Sequence, residues 1–275
     1  HEMGFKVMLW MCPFVNGDSQ VYQELYGTYD AFLHDPNIPG NALMIKWWKG
    51  ESALLDFTHP PAERWFRSEL DRLQNEYSVD GFKLEGGDFN FYHWAVPHKK
   101  STGFAEQGEL YTRIGLNYPL NEYRVSFKLG GEPLAQRLHG EKFNWENLRK
   151  LVPGMTLLGI MGYPFAGPDV IGDSKYRTVS TSGEIDQELV VRSAQVHALM
   201  PMMKFGVAPW QVLDPVHLAA VKKAALLHQE FGPRILKLAN ESLVNTQAEL
   251  QAVHQAIAEQ TSAGQAEVAQ YQSEL

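Results

Sequence analysis

The stretch Ser78-Val79-Asp80-Gly81-Phe82-Lys83-Leu84-Glu85-Gly86-Gly87-Asp88 constrains this chain more than any other. A short apolar run ends in a carboxylate, two glycines and a second carboxylate. That pattern predicts a buried strand that brings acid groups to a sheet edge, after which the backbone turns sharply. Two carboxylates at this spacing fit a catalytic pair, a metal site or a helix cap. The surrounding chain must decide among the three.

Around this stretch, strand patterns alternate with helical ones. Residues 5–10 read as a buried strand stopped by Pro13, and residues 53–57 and 79–84 as the second and third strands. Thr58 is placed as an N-cap with Pro60 and Pro61 in the first turn, ahead of an apolar helix face of Phe66, Leu70, Leu73 and Tyr77. Further strands are predicted at residues 123–129, 155–161 and 200–207. Helices are predicted at residues 109–117, from 144, at 185–199, 214–229 and 234–243. Residues 16–45 and 89–108 read as long irregular loops. The alternation argues for a parallel α/β arrangement. Six strands are two short of a closed eight-stranded barrel; a doubly wound open sheet is the alternative, although no Gly-rich phosphate loop follows any strand.

From about residue 244 the composition turns to Ala and Gln. Thr246 and Glu249 have capping-box spacing, and Leu250, Val253 and Ile257 follow at helical intervals. The chain therefore divides into a barrel-like domain over 1–243 and a helical tail over 244–275. The opening His1-Glu2-Met3-Gly4 runs straight into apolar sequence, which suggests a piece of a longer protein with any targeting signal upstream.

Three function classes are disfavoured. A formal net charge of −8 without a basic run argues against nucleic-acid partners. Cys12 is the only cysteine, so no internal disulfide or thiolate metal cage is expected. No apolar run approaches the ~18 residues of a membrane span. What remains are acid groups at predicted strand ends: Asp56, Glu85, Asp88, Glu141 and Asp169. Trp10, Trp47, Trp48, Phe91, Tyr92, Trp94, Tyr163 and Trp210 lie in the same loops. In a barrel these ends share one mouth, and carboxylates in an aromatic pocket are the ingredients of glycoside hydrolysis. Each has a structural alternative: a hydrophobic plug for Trp47-Trp48, a loop or cap role for Asp56, a cap or Lys83 partner for Asp88. Glu85, following apolar strand residues, needs a partner to justify its burial. No His-x-His or His-Glu-x-x-His spacing occurs, so no metal or cofactor is expected; an all-carboxylate metal site is the alternative.

Several segments resemble glycoside hydrolase family 31: Gly4-Phe5-Lys6-Val7-Met8-Leu9-Trp10, Trp47-Trp48, Leu55-Asp56-Phe57-Thr58-His59-Pro60, Asp80-Gly81-Phe82-Lys83, Gly162-Tyr163-Pro164-Phe165 with Pro168-Asp169, and Met200-Pro201-Met202-Met203. The resemblance implies a (β/α)8 TIM-type barrel that cleaves α-glycosides with retention, through a glycosyl-enzyme intermediate and without a metal. Glu85 falls on the nucleophile position, where the family has aspartate, and Asp88 on the second acid of that motif. With Arg137 and Leu138 in register, the acid/base position falls on Gly140; a loop one residue shorter would place Glu141 there, giving the pair Glu85 and Glu141. Asp169 matches a sugar-contacting aspartate, Lys83, Arg124 and Arg137 match cations around the site, and Trp10, Trp47 and Trp48 are candidate sugar contacts. The family's first and last strands have no counterpart here, so the expected fold is an incomplete barrel with an added C-terminal helix. The tail or a second copy of the chain would cover its open edges. The implied partner is an α-linked carbohydrate. The other readings are a catalytically impaired relative that binds carbohydrate or protein, and a metal-dependent lyase or isomerase on the same barrel.

Overall fold

The computed structural model describes residues 2–99, 103–138, 140, 142–172 and 185–274, with backbone alone at residues 104 and 263–274. The chain forms two compact units, His1–Leu129 with Leu134–His139, and Gly130–Pro133 with Gly140–Leu275.

The first unit holds the parallel sheet. Its strands are β1 (Met8–Met11), β5 (Gly81–Leu84), β6 (Leu120–Tyr123) and β7 (Gln136–Arg137), paired in the order β1-β5-β6-β7. The helices α2 (Pro60–Tyr77) and α3 (Phe104–Gly115) are the crossover elements. One sheet face buries Phe82, Leu84 and Tyr123 against apolar side chains, as a strand covered by helices requires. No closed barrel forms among the described residues. Where β5 meets β6, a Cβ at Gly81 would lie 1.8 Å from the Leu120 carbonyl oxygen, so only glycine permits this approach.

Beside this sheet lies an antiparallel one, β2 (Phe14–Asn16), β4 (Gly50–Leu54) and β3 (Met44–Trp47), in the order β2-β4-β3. The strand expected at residues 53–57 thus pairs antiparallel and outside the parallel set. Residues 16–45, expected to be irregular, contain the short helix α1 (Gln20–Glu24), a π-helical turn (Leu25–Tyr29) and the start of β3.

The second unit contains β8 (Ala166–Gly167) and the helices α4 (Trp145–Ile160), α5 (Gln187–His197), α6 (Pro209–Val212) and α7 (Pro215–Glu274). Its core joins Val190, Val191 and Ala194 of α5 to Val221 and Ala224 of α7. The strand expected at 155–161 is the second half of α4. Pro153 deletes one backbone donor there, but the helix continues, because a single lost bond is outweighed by the intact ladder on either side. The strand expected at 200–207 reduces to one parallel bridge, Ile171 to Phe205. The breaks expected near residues 230 and 244 do not occur: α7 runs through Pro233, and Thr246 and Glu249 lie inside it. No described helix is long and apolar enough to cross a membrane.

Candidate functional site

The site is a consequence of strand register. In parallel pairing Trp10 lies beside Lys83, Lys83 beside Glu122, and Tyr123 beside Gln136. Side chains alternate faces along a strand, so Lys83 and Glu85, Glu122 and Arg124, and Arg137 all fall on one face. The opposite face carries the apolar set of Phe82, Leu84 and Tyr123. One face is therefore packed and the other is ionic.

Glu85 sits just past β5, its side chain only 7% exposed, among three cations. Arg137 Nη2 donates to Oε1. Lys83 Nζ lies 3.7 Å from Oε1, and Arg124 Nη1 3.9 Å from Oε2. Glu122 shares two of these cations, at 3.6 Å from Lys83 and 3.4 Å from Arg137. Asp88 accepts from Arg124 Nε at 2.9 Å, so the cation it holds is Arg124, where the sequence had offered Lys83 as one alternative. Among the described residues, three carboxylates meet three cations, and these six carry no net formal charge. That balance is the condition for burying so many ions.

The backbone that follows Glu85 is fixed by glycine. Gly86 and Gly87 have φ of +79° and +83°, which disfavours side chains. A Cβ at Gly86 would also meet the Phe14 ring at 2.8 Å. Tyr111 Oη donates to the Glu85 carbonyl at 3.0 Å and holds the turn from below. Cys12 lies close by; burial pushes its thiol up to about 11, an effect that hydrogen bonding with the Phe14 backbone opposes and the Glu85 charge reinforces. It is an inert packing thiol.

The tryptophans divide two roles between them. Trp47 packs on Phe14 edge-on at 4.9 Å and donates from Nε1 to Ser52 Oγ at 2.9 Å, which makes it the plug. Trp48 is half exposed, and the Arg124 guanidinium lies 5.1 Å from its ring centre. Trp10 stacks on Trp47 at 6.0 Å and is also partly exposed, so β1 is less buried than its sequence suggested. Phe91 reaches Trp48 from the following loop, at 6.3 Å.

Of the sequence candidates, Lys83, Glu85, Asp88, Arg124, Arg137, Trp10, Trp47 and Trp48 belong to the first unit and form this connected wall. Asp56 is fully buried and does not join it. It accepts from Thr58, His98 and Gln107 and serves as a loop anchor, while Thr58 hydrogen-bonds Asp56 and leaves the N-cap position to His59. Asp169 lies in the second unit, close enough to His197 for their charges to interact. Gly140 is described; Glu141 lies outside the described residues. Sequence reasoning missed Glu122. The signal was present in the alternation Asn121-Glu122-Tyr123-Arg124, but the strand had been placed to begin at Tyr123, three residues too late.

Residues 1–229 match the model of the Glycosyl hydrolases family 31 TIM-barrel domain. The chain is 35% identical over 256 residues to the myogenesis-regulating glycosidase of Mus musculus, covering 87% of this chain and 34% of that protein. It is 26% identical over 251 residues to the SITS-binding protein of Tetronarce californica, covering 86% and 35%. Among solved structures, the cycloalternan-degrading enzyme from Trueperella pyogenes in complex with a covalent intermediate superposes with a TM-score of 0.73 at 18% identity, over 88% of this chain and 37% of that one. The chain spans about a third of the length of the curated relatives it matches. With the match to the domain model over most of its residues, this chain belongs to glycosyl hydrolase family 31.

Proposed function

We propose that this chain carries the nucleophile side of a retaining α-glycosidase site, with Glu85 as nucleophile and Glu141 as acid/base. One observation carries this reading: Glu85 is a buried carboxylate at a strand end with its two oxygens in different surroundings. Oε1 is engaged by Arg137 and faces Lys83, whereas among the described residues Oε2 has only the Arg124 guanidinium, at 3.9 Å. Oε2 is therefore the atom free to attack an anomeric carbon. The cations hold the carboxylate in one orientation, which is the positional control that covalent glycoside cleavage demands. Asp88 and Arg124 would hydrogen-bond sugar hydroxyls, and Trp48 with Trp10 would offer ring faces.

In the first step Oε2 forms an ester with the anomeric carbon while the bond to the leaving oxygen breaks and Glu141 gives that oxygen its proton. In the second, Glu141 takes a proton from water, and the water oxygen replaces the ester. The solved relative trapped with a covalent intermediate supports a covalent route for this fold. The test is turnover of aryl α-glucosides, α-galactosides and α-xylosides, with a slow fluorosugar label located by mass spectrometry. Label on Glu85, and loss of at least a hundredfold in kcat for Glu85→Gln, are expected; label on another carboxylate overturns the assignment.

A second reading has its own observation. Gly140 occupies the position where the family pattern places the proton donor, and a glycine donates no proton. If Glu141 does not replace it, the chain binds sugar without cleaving it. Calorimetric sugar binding without cleavage of alkyl glycosides, whose leaving group needs a proton, while an activated aryl glycoside still labels Glu85, would favour this reading.

A further inference from the structure

The first unit contains a second cluster of polar side chains that the glycosidase reading does not use. Two imidazoles, His34 and His98, and two carboxylates, Asp30 and Asp56, converge where the turn at residues 30–34 meets the loop at 89–99. The backbones of His34 and Val96 exchange two hydrogen bonds of 3.0 Å each, which fixes where His98 emerges two residues later. His34 Nε2 lies 2.9 Å from Asp30 Oδ1, and His98 Nε2 lies 3.2 Å from Asp30 Oδ2. Asp30 caps the C-terminus of the π-helical turn in the left-handed region, at φ 48°.

The orientation of His98 is set from behind. Its Nδ1 is 2.8 Å from Asp56 Oδ2, and its backbone N–H donates to the same oxygen at 2.7 Å. An ionised carboxylate only accepts, so Nδ1 carries a hydrogen, and in the neutral ring Nε2 is then the nitrogen with a lone pair to offer a metal on the Asp30 side. A buried carboxylate behind one ring nitrogen, with the other nitrogen aimed at a second donor group, is the arrangement that orients histidine ligands around metals. Without a cation, Nε2 bonds Asp30 Oδ2 only by carrying a second proton, so a metal ion and a proton compete for the same lone pair.

From this geometry we infer that Asp30, His34 and His98 form a binding site for a borderline divalent cation, with zinc the best fit. The three donor atoms lie within 4.8 Å of one another. Zinc bonds of about 2.0–2.2 Å in a tetrahedral shell separate donors by about 3.3 Å, comparable to the 2.9 Å from His34 Nε2 to Asp30 Oδ1 and the 3.2 Å from His98 Nε2 to Asp30 Oδ2, so each imidazole has one carboxylate oxygen at ligand spacing. Exposure of Asp30 leaves the fourth position to water. The ion would clip the 30–34 turn to the 89–99 loop. Because that loop begins at Asp88 and carries Phe91 against Trp48, the clip would stiffen one wall of the ionic site without touching it.

The test is calorimetric titration of the chelator-treated chain with Zn²⁺, alongside Co²⁺ read by its visible spectrum. One equivalent at micromolar affinity is expected, weakened at least tenfold in Asp30→Asn and in His34→Ala and unchanged in His217→Ala, a control at the separate Asp214–His217 pair. Zinc should also shield His34 and His98 of the unmutated chain from diethyl pyrocarbonate, read by mass spectrometry, so the test does not depend on a variant folding. Absence of saturable binding at millimolar zinc, equal binding in both variants, or modification of His34 and His98 undiminished by zinc would each overturn the site.

Discussion

Replacing Arg137 with methionine perturbs the ionic face at its most buried cation. The Arg137 side chain is 4% exposed and meets Glu85 and Glu122, themselves 7% and 10% exposed. Without it, three carboxylates share Lys83 and Arg124, and a balanced cluster acquires one uncompensated negative charge. Breaking a buried pair from one side costs about 3–5 kcal/mol. Glu85→Gln should cost less, about 1–3 kcal/mol, because Arg137 keeps Glu122. The double variant leaves two cations and two carboxylates, so its cost should fall below the sum of the singles by about 1–3 kcal/mol. Urea unfolding followed by tryptophan fluorescence measures this, since Trp10, Trp47, Trp48, Trp65 and Trp94, five of the seven tryptophans, lie in the first unit. Costs that add to within about 0.5 kcal/mol would refute the coupling, and with it the claim that charge balance permits the burial of Glu85.

Three other outcomes follow from single side chains. Tyr92 Oη is buried with no hydrogen-bond partner among the described residues, so Tyr92→Phe should stabilise the first unit by about 1 kcal/mol in the same urea assay; a loss would mean the hydroxyl is satisfied. The Cys12 thiol is raised by burial to about 11, so the folded state keeps its proton where the unfolded state loses it. That stability is present below about pH 9 and is lost toward pH 11, by about 2–3 kcal/mol, and Cys12→Ala should flatten the alkaline limb. His197 is lowered to about 4, chiefly by burial and then by the Lys204 charge. Its contribution is present above about pH 6.5 and fades as pH falls toward 4, by about 3 kcal/mol, and acid unfolding of His197→Leu should lack that component.

How far the sequence could be read depended on how local the signal was. The turn after Glu85 was legible because two adjacent glycines after an apolar run admit few backbones, and the structure places both at positive φ. Residues 155–161 were misread because an apolar run of that length has no period to separate strand from helix. Residues 53–57 were read as a strand of the parallel set because β propensity says nothing about pairing direction. Their partners, β2 with three residues and β3 with four, were too short to register. The metal-ligand geometry at Asp30, His34 and His98 was illegible because a 68-residue separation is closed only by the pairing of His34 with Val96.

The same reasoning explains why the candidate nucleophile is where it is. A glutamate at 5% exposure is affordable only with cations at hand. Those cations come from three strands far apart in sequence, at residues 83, 124 and 137. Register, not proximity in the chain, aligns them: a shift of β6 by one residue would turn Glu122 and Arg124 to the apolar face and Tyr123 into the cluster. Glu85 would then lose Arg124, and Asp88 its partner. The packed face and the ionic face are thus two consequences of one alignment. The apolar contacts of Phe82, Leu84 and Tyr123 fix a register whose other side is the chemistry. A core substitution such as Tyr123→Ala should therefore disturb the site as well as the fold, since the hydroxyl that bonds the Thr112 carbonyl at 3.2 Å belongs to the residue that sets Glu122 and Arg124 on the opposite face.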